Sequence, residues 1–88
     1  MKRHILIIDD NKGYIEALNE GLKKEYILKC AFDGRSGLAE IERSRPDVVI
    51  LDLGLPDIGG FEVCRILRES NKTFDIPVIM LTVQSGRS

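Results

Sequence analysis

Four oxygen-bearing side chains stand where apolar runs end: Asp9 and Asp10 after Ile5-Leu6-Ile7-Ile8, Asp52 after Val48-Val49-Ile50-Leu51, and Thr82 after Val78-Ile79-Met80-Leu81. Carboxylates gathered in one pocket repel, so either one of them keeps a proton or a cation holds them together. Oxygen donors without histidine or cysteine favour a hard ion. Mg²⁺ fits, because it accepts one or two carboxylates, keeps several waters and completes its shell with phosphate oxygens. A carboxylate is also a nucleophile toward phosphorus, giving an aspartyl phosphate. Asp52 stands alone at its strand end and is the candidate nucleophile, which leaves Asp9 and Asp10 to supply metal binding alongside it. The Thr82 hydroxyl can hydrogen-bond a new phosphoryl oxygen, and the Gly54 carbonyl, two residues past Asp52, is a further oxygen ligand for the ion.

These residues need elements that bring them to one place. The three apolar runs suit parallel strands covered on both faces. Tyr26 to Phe32, interrupted by Lys29, suits an edge strand with a wetter side. Between strands, Ile15, Leu18 and Leu22, joined by Tyr14 and Gly21, recur at helical spacing and predict an amphipathic helix from about Lys12 to Lys24. Leu38, Ala39 and Ile41 mark a second, shorter helix that must stop before Pro46. Phe61, Cys64 and Leu67, flanked by Val63 and Ile66, mark a third, with Glu62, Arg65, Arg68 and Glu69 on its wet side. Gly54-Leu55-Pro56-Asp57-Ile58-Gly59-Gly60 is turn chemistry joining the third strand to the third helix.

The order β-α-β-α-β-α-β implies right-handed crossovers and an open, doubly wound parallel sheet. Sites in such sheets lie beyond the carboxyl ends of the strands, where strand order reverses. Strand order 2-1-3-4 puts strands one and three side by side at that point, and all four polar groups then share one rim.

At 88 residues, 43% hydrophobic and 31% charged, the chain is expected to form a single globular domain spanning 1–88, small for an α/β core. No apolar run approaches the length of a membrane span. The basic start meets two acids without a cleavage site, so it reads as a first strand in a cytoplasmic protein rather than a secretion signal. A formal net charge of −1 gives no field that would recruit nucleic acid or an anionic membrane. Cys30 and Cys64 lack metal-ligand spacing and read as free buried thiols. His4 reads as a surface residue, and Lys12 as a solvated lysine.

Ile5-Leu6-Ile7-Ile8-Asp9-Asp10-Asn11 resembles the opening of response-regulator receiver domains. The stretch from Val48 to Glu62, with Leu51-Asp52-Leu53-Gly54-Leu55-Pro56-Asp57 at its centre, resembles their phosphorylation-site segment, and Pro77 to Thr82 their switch strand. The resemblance implies a flavodoxin-like fold and Mg²⁺-dependent phosphotransfer from a sensor histidine kinase or phosphotransfer protein. By the same resemblance Asp52 is the phosphoacceptor, Asp10 the direct metal ligand, Asp9 its water-mediated neighbour and Thr82 the switch hydroxyl. Such a domain catalyses only its own phosphotransfer and dephosphorylation.

Two departures stand out. Receiver domains continue through a fourth helix, a fifth strand with an aromatic switch residue, a lysine after it and a fifth helix. No residue here matches that lysine, so an incomplete fold with impaired chemistry is expected. Val83 stands where the family usually has a small residue, which predicts slower access to the phosphoryl pocket. The fourth strand, apolar on both faces, is expected to drive self-association through its free edge. A pseudo-receiver or fragment that binds or assembles without being phosphorylated remains the alternative reading. A nucleotide-binding half-domain would need a glycine-rich turn where Asp9 and Asp10 stand.

Overall fold

The computed structural model describes residues 1–81. Its elements alternate as β1 (Arg3–Ile8), α1 (Lys12–Leu22), β2 (Tyr26–Ala31), α2 (Gly34–Ser44), β3 (Val48–Asp52), α3 (Gly60–Arg68) and β4 (Val78–Leu81). All strand pairs are parallel, and the sheet order is β2-β1-β3-β4, as the alternation of elements predicts.

The pleat sorts the strand residues between two faces. Leu6, Ile8, Val49 and Leu51 point to one face, where Ile41 of α2 and Val63 and Leu67 of α3 cover them. Ile5 and Ile7 point to the other, against Ile15 of α1, with Val48 and Ile50 only half-buried beside them. On this second face α1 covers the β1–β2 side of the sheet. Ile79, level with Ile50 on β4, is therefore 50% exposed. Among the described residues β4 lies at the edge of the sheet rather than in its interior with β1 and β3, and Ile79 and Met80 are exposed, as the strand order 2-1-3-4 and an apolar strand with a free edge lead one to expect.

Three finer expectations also shift. α1 stops at Leu22, with Lys23 as its C-cap. Phe61 is not a core residue: Val63 and Leu67, one helical turn apart, face the sheet, which sends Phe61 to the far side of α3, where it is 69% exposed. Cys30 is exposed on edge strand β2, and Cys64 is half-buried; both thiols are free.

Helix ends follow ordinary capping rules. The side chains of Asn11 and Asp33 accept hydrogen bonds from the backbone N–H of Tyr14 (3.0 Å) and Ser36 (2.8 Å), opening α1 and α2. α2 ends at Arg45, in the left-handed region with φ 39°, just ahead of Pro46. The same Arg45 reaches the α3–β4 connection, donating to the Lys72 carbonyl (2.7 Å) and the Asp75 carboxylate (2.9 Å). Arg68 donates to the carbonyls of Phe74 and Ile76, and the buried Thr73 hydroxyl to that of Leu67 (2.7 Å). These bonds hold the connection that leads into β4.

Candidate functional site

Register puts the acids together. Ile8 is level with Leu51 across the β1–β3 pair, so Asp9 and Asp52 leave the sheet side by side, with Asp10 next along the loop. Carboxylate oxygens of Asp9, Asp10 and Asp52 all lie within 4.8 Å of one another. Asp9 is 3% and Asp52 9% exposed, whereas Asp10 faces solvent.

Each acid is held by its own element. The Asp9 backbone N–H donates to the Ala31 carbonyl of β2 (3.0 Å), extending the ladder past the last strand residue. Its Oδ1 accepts the Asn11 N–H at 2.8 Å, and Asn11 in turn caps α1. The loop bearing the acid pair is thus pinned to a strand on one side and a helix on the other. Asp52 is the last residue of β3, level with Leu81, and the following N–H, of Leu53, donates to the Leu81 carbonyl (3.3 Å).

Two glycines permit the close packing behind these acids. A Cβ on Gly60, the first residue of α3, would lie 2.7 Å from the Asp52 carbonyl oxygen and 2.8 Å from the Leu53 Cα, so only glycine lets α3 start against the end of β3. A Cβ on Gly37 of α2 would lie 2.8 Å from Ile8 Cγ1 and nearer still to its Cδ1, directly behind the residue that precedes Asp9.

The loop after Asp52 carries a second fastening that local sequence patterning does not mark. Asp57 accepts hydrogen bonds from the N–H groups of Gly34 (2.7 Å) and Arg35 (2.9 Å) at the start of α2, and from Ile58 in its own loop. Partial burial opposes its ionisation, but the bonds from Arg35, Gly34 and Ile58 outweigh that and hold the carboxyl below the usual aspartate range. A carboxylate also suits the positive end of a helix. Asp57 therefore ties the loop that follows Asp52 to α2.

At Asp9 the balance goes the other way. Burial pushes its pKa up, the Asn11 hydrogen bond pulls down, and the charges of Asp52 and Asp10 add to the rise. Burial together with like charge raises the pKa of a carboxyl in this way. The donor set is oxygen alone, which fits a hard divalent cation and not a soft one.

Of the residues singled out by sequence, Asp9, Asp10 and Asp52 come together. Gly54 lies beside them, its Cβ position 4.0 Å from Asp52 Oδ2. Thr82 and Val83 lie outside the described residues. Lys12 is the first residue of α1 and is exposed, as a solvated lysine is expected to be, with its ammonium over the Phe32 ring, 5.3 Å from the centroid. His4 is exposed at the opposite end of β1. No helix among the described residues is long and apolar enough to cross a membrane.

The response regulator receiver domain family matches residues 5–88. A putative response regulator from Chloroflexus aurantiacus has the same fold with a TM-score of 0.91 at 32% identity, over 97% of this chain and 70% of that one. The chemotaxis response regulator CheY4 of Vibrio cholerae aligns with a TM-score of 0.90 at 29% identity, over 98% of this chain and 72% of its own. A phosphorylated cyanobacterial phytochrome response regulator, RcpA, aligns with a TM-score of 0.88 at 27% identity, covering 98% and 69% respectively.

Proposed function

The chain belongs to the response regulator receiver domain family, the phosphoacceptors of two-component signalling, and on that premise we propose that Asp52 accepts a phosphoryl group beside a Mg²⁺ held by Asp9, Asp10, Asp52 and the Gly54 carbonyl. The observation that carries this reading is the convergence of three carboxylates from two adjacent strand ends, within 4.8 Å of one another. Bound Mg²⁺ supplies positive charge that neutralises both the acid cluster and the oxygens of the incoming phosphoryl group.

The chain's own residues do the rest. Asp52, fixed by the end of β3, presents a carboxylate oxygen that forms the new bond to phosphorus. The donor's bond to phosphorus breaks, and its electron pair leaves with the donor; for a phosphohistidine this is the imidazole nitrogen, which then takes a proton from solvent. Asp9 and Asp10 would hold the cation in place beside Asp52. Asp57 holds the loop that carries Gly54. Thr82 follows directly on β4 and, by its position in the motif, is the hydroxyl that senses the phosphoryl group. RcpA, of the same fold, is known in its phosphorylated form.

A sensor histidine kinase or phosphotransfer protein as donor and a cytoplasmic location belong to the same reading. So does self-association through the outer edge of β4, which the exposure of Ile79 and Met80 supports. A light-scattering mass equal to one chain across a wide concentration range would reject the association.

The test of phosphorylation uses a small-molecule phosphodonor with and without Mg²⁺, read by intact-protein mass. One phosphoryl group is expected, dependent on Mg²⁺, stable in acid, labile in base, and absent in Asp52→Asn. A Mg²⁺-independent adduct, or one that survives in Asp52→Asn, would reject it.

A further inference from the structure

Lys12 stands in a place that ordinary electrostatics disfavours. It is the first residue of α1, at the helix end that repels a cation, and the first turn of α1 holds no acid to offset it. Two residues earlier is Asp10, one of three clustered carboxylates. A long, mobile ammonium beside such a cluster is expected to fold onto it. Among the described residues Lys12 makes no ion pair; its Nζ lies over the Phe32 ring, 5.3 Å from the centroid.

Phe32 is well placed to hold it there. The ring follows Ala31, the last residue of β2, whose carbonyl accepts the Asp9 N–H, so backbone bonding fixes Phe32 next to the loop that carries the acid pair. The ring is 42% exposed and so open to a cation on its solvent side. An exposed cation–π contact and an exposed ion pair are of similar, small strength. The two positions open to Lys12, on the ring or on the carboxylates, are therefore close in free energy. On the carboxylates, Lys12 competes with any divalent cation for the same oxygens. On the ring, it leaves them free.

We propose that Phe32 parks Lys12 away from the acid cluster, and that this pair thereby sets the cluster's affinity for a divalent cation. Both are positioning residues. The inference rests on the reading of Asp9, Asp10 and Asp52 as a metal site and adds to it a built-in competing cation with its own holding place.

The test is titration calorimetry of the full chain with Mg²⁺ alone, on the parent, Phe32→Leu, Lys12→Met, the double variant and Phe32→Tyr. Phe32→Leu is expected to weaken binding about two- to five-fold, the size of one exposed cation–π contact. Lys12→Met is expected to tighten binding relative to the parent. In the Lys12→Met background Phe32→Leu is expected to change nothing, and Phe32→Tyr, which keeps the ring, to bind like the parent. Far-UV circular dichroism on each variant checks that the fold is kept. Equal affinity of Phe32→Leu and the parent overturns the proposal, as does an equal loss from Phe32→Leu with and without Lys12, which is the mark of a purely structural ring. Failure of every variant to bind Mg²⁺ overturns the metal reading itself, a result distinct from either of these.

Discussion

Replacing Asp52 by Asn removes one charge from the acid cluster while nearly preserving its shape, and the cost of that cluster then becomes measurable as stability. Asp52 and Asp9 are both buried, with carboxylate oxygens no more than 4.8 Å apart. Two unit charges at that distance repel by about 3.5 kcal/mol at an effective dielectric near 20, and by a little under ~1 kcal/mol in bulk water. The buried position favours the upper part of that range, while solvent reaching the cluster at the exposed Asp10 lowers it. We expect Asp52→Asn to stabilise the metal-free protein by about 1–3 kcal/mol at neutral pH. The gain has a definite pH dependence. Asp9 binds its proton more tightly in the folded chain than in the unfolded one, because burial, followed by the charges of Asp52 and Asp10, raises its pKa above 3.8. As pH falls through that raised value, the folded parent takes up the proton and recovers stability relative to neutral pH. The advantage of Asp52→Asn must therefore shrink toward zero in acid. Urea unfolding followed by far-UV circular dichroism, with a chelator present, reads both numbers at pH 7 and near the foot of the carboxylate range. A variant less stable than the parent at pH 7, or an advantage that does not change with pH, would refute the reasoning.

Other expectations concern the scaffold behind the acids. Gly37→Ala should be neutral or destabilising by up to about 2 kcal/mol, because overpacking against Ile8 outweighs the roughly 1 kcal/mol helix-propensity gain; in an Ile8→Val background the same change should stabilise, and a gain in the parent background would show the contact to be soft. Thr73→Val should cost about 1–2 kcal/mol in urea unfolding, since it removes the buried hydroxyl bonded to the Leu67 carbonyl; an unchanged midpoint would remove that bond from the account. Asp57→Ala should speed hydrogen exchange at the Gly34 and Arg35 amides. In the parent their protection should persist down to acid pH and fade only below the usual aspartate range, because Asp57 is depressed there; exchange unaffected by the substitution would mean that the loop is held by something else.

The acid rim was legible because it follows from rules that need only local patterning. Continuous apolar runs mark covered parallel strands, alternation with helices sets their direction, and acids at run ends must then share the carboxyl edge. What stayed hidden depends on pairs distant in sequence. Asp57 bonds to Gly34 and Arg35, 23 and 22 residues away, and reads locally as one more turn residue. Lys12 meets Phe32 across two loops, and neither residue marks the other. Thr73 sits in a polar turn between α3 and β4 and gives no sign of burial. Phe61 misled for a different reason: hydrophobicity alone does not fix the phase of a short helix, and Val63 and Leu67 set it here. Cys30 lies on β2, an edge strand, and exposure follows from that position rather than from residue type.

The most direct measurement of the central claim is paramagnetic broadening of amide NMR signals by substoichiometric Mn²⁺, a stand-in for Mg²⁺ at oxygen sites. Signals from Asp9, Asp10 and Asp52 to Gly54 are expected to vanish first and to return when excess Mg²⁺ is added. Broadening centred elsewhere in the chain, or signals at these residues untouched by Mn²⁺, would contradict it.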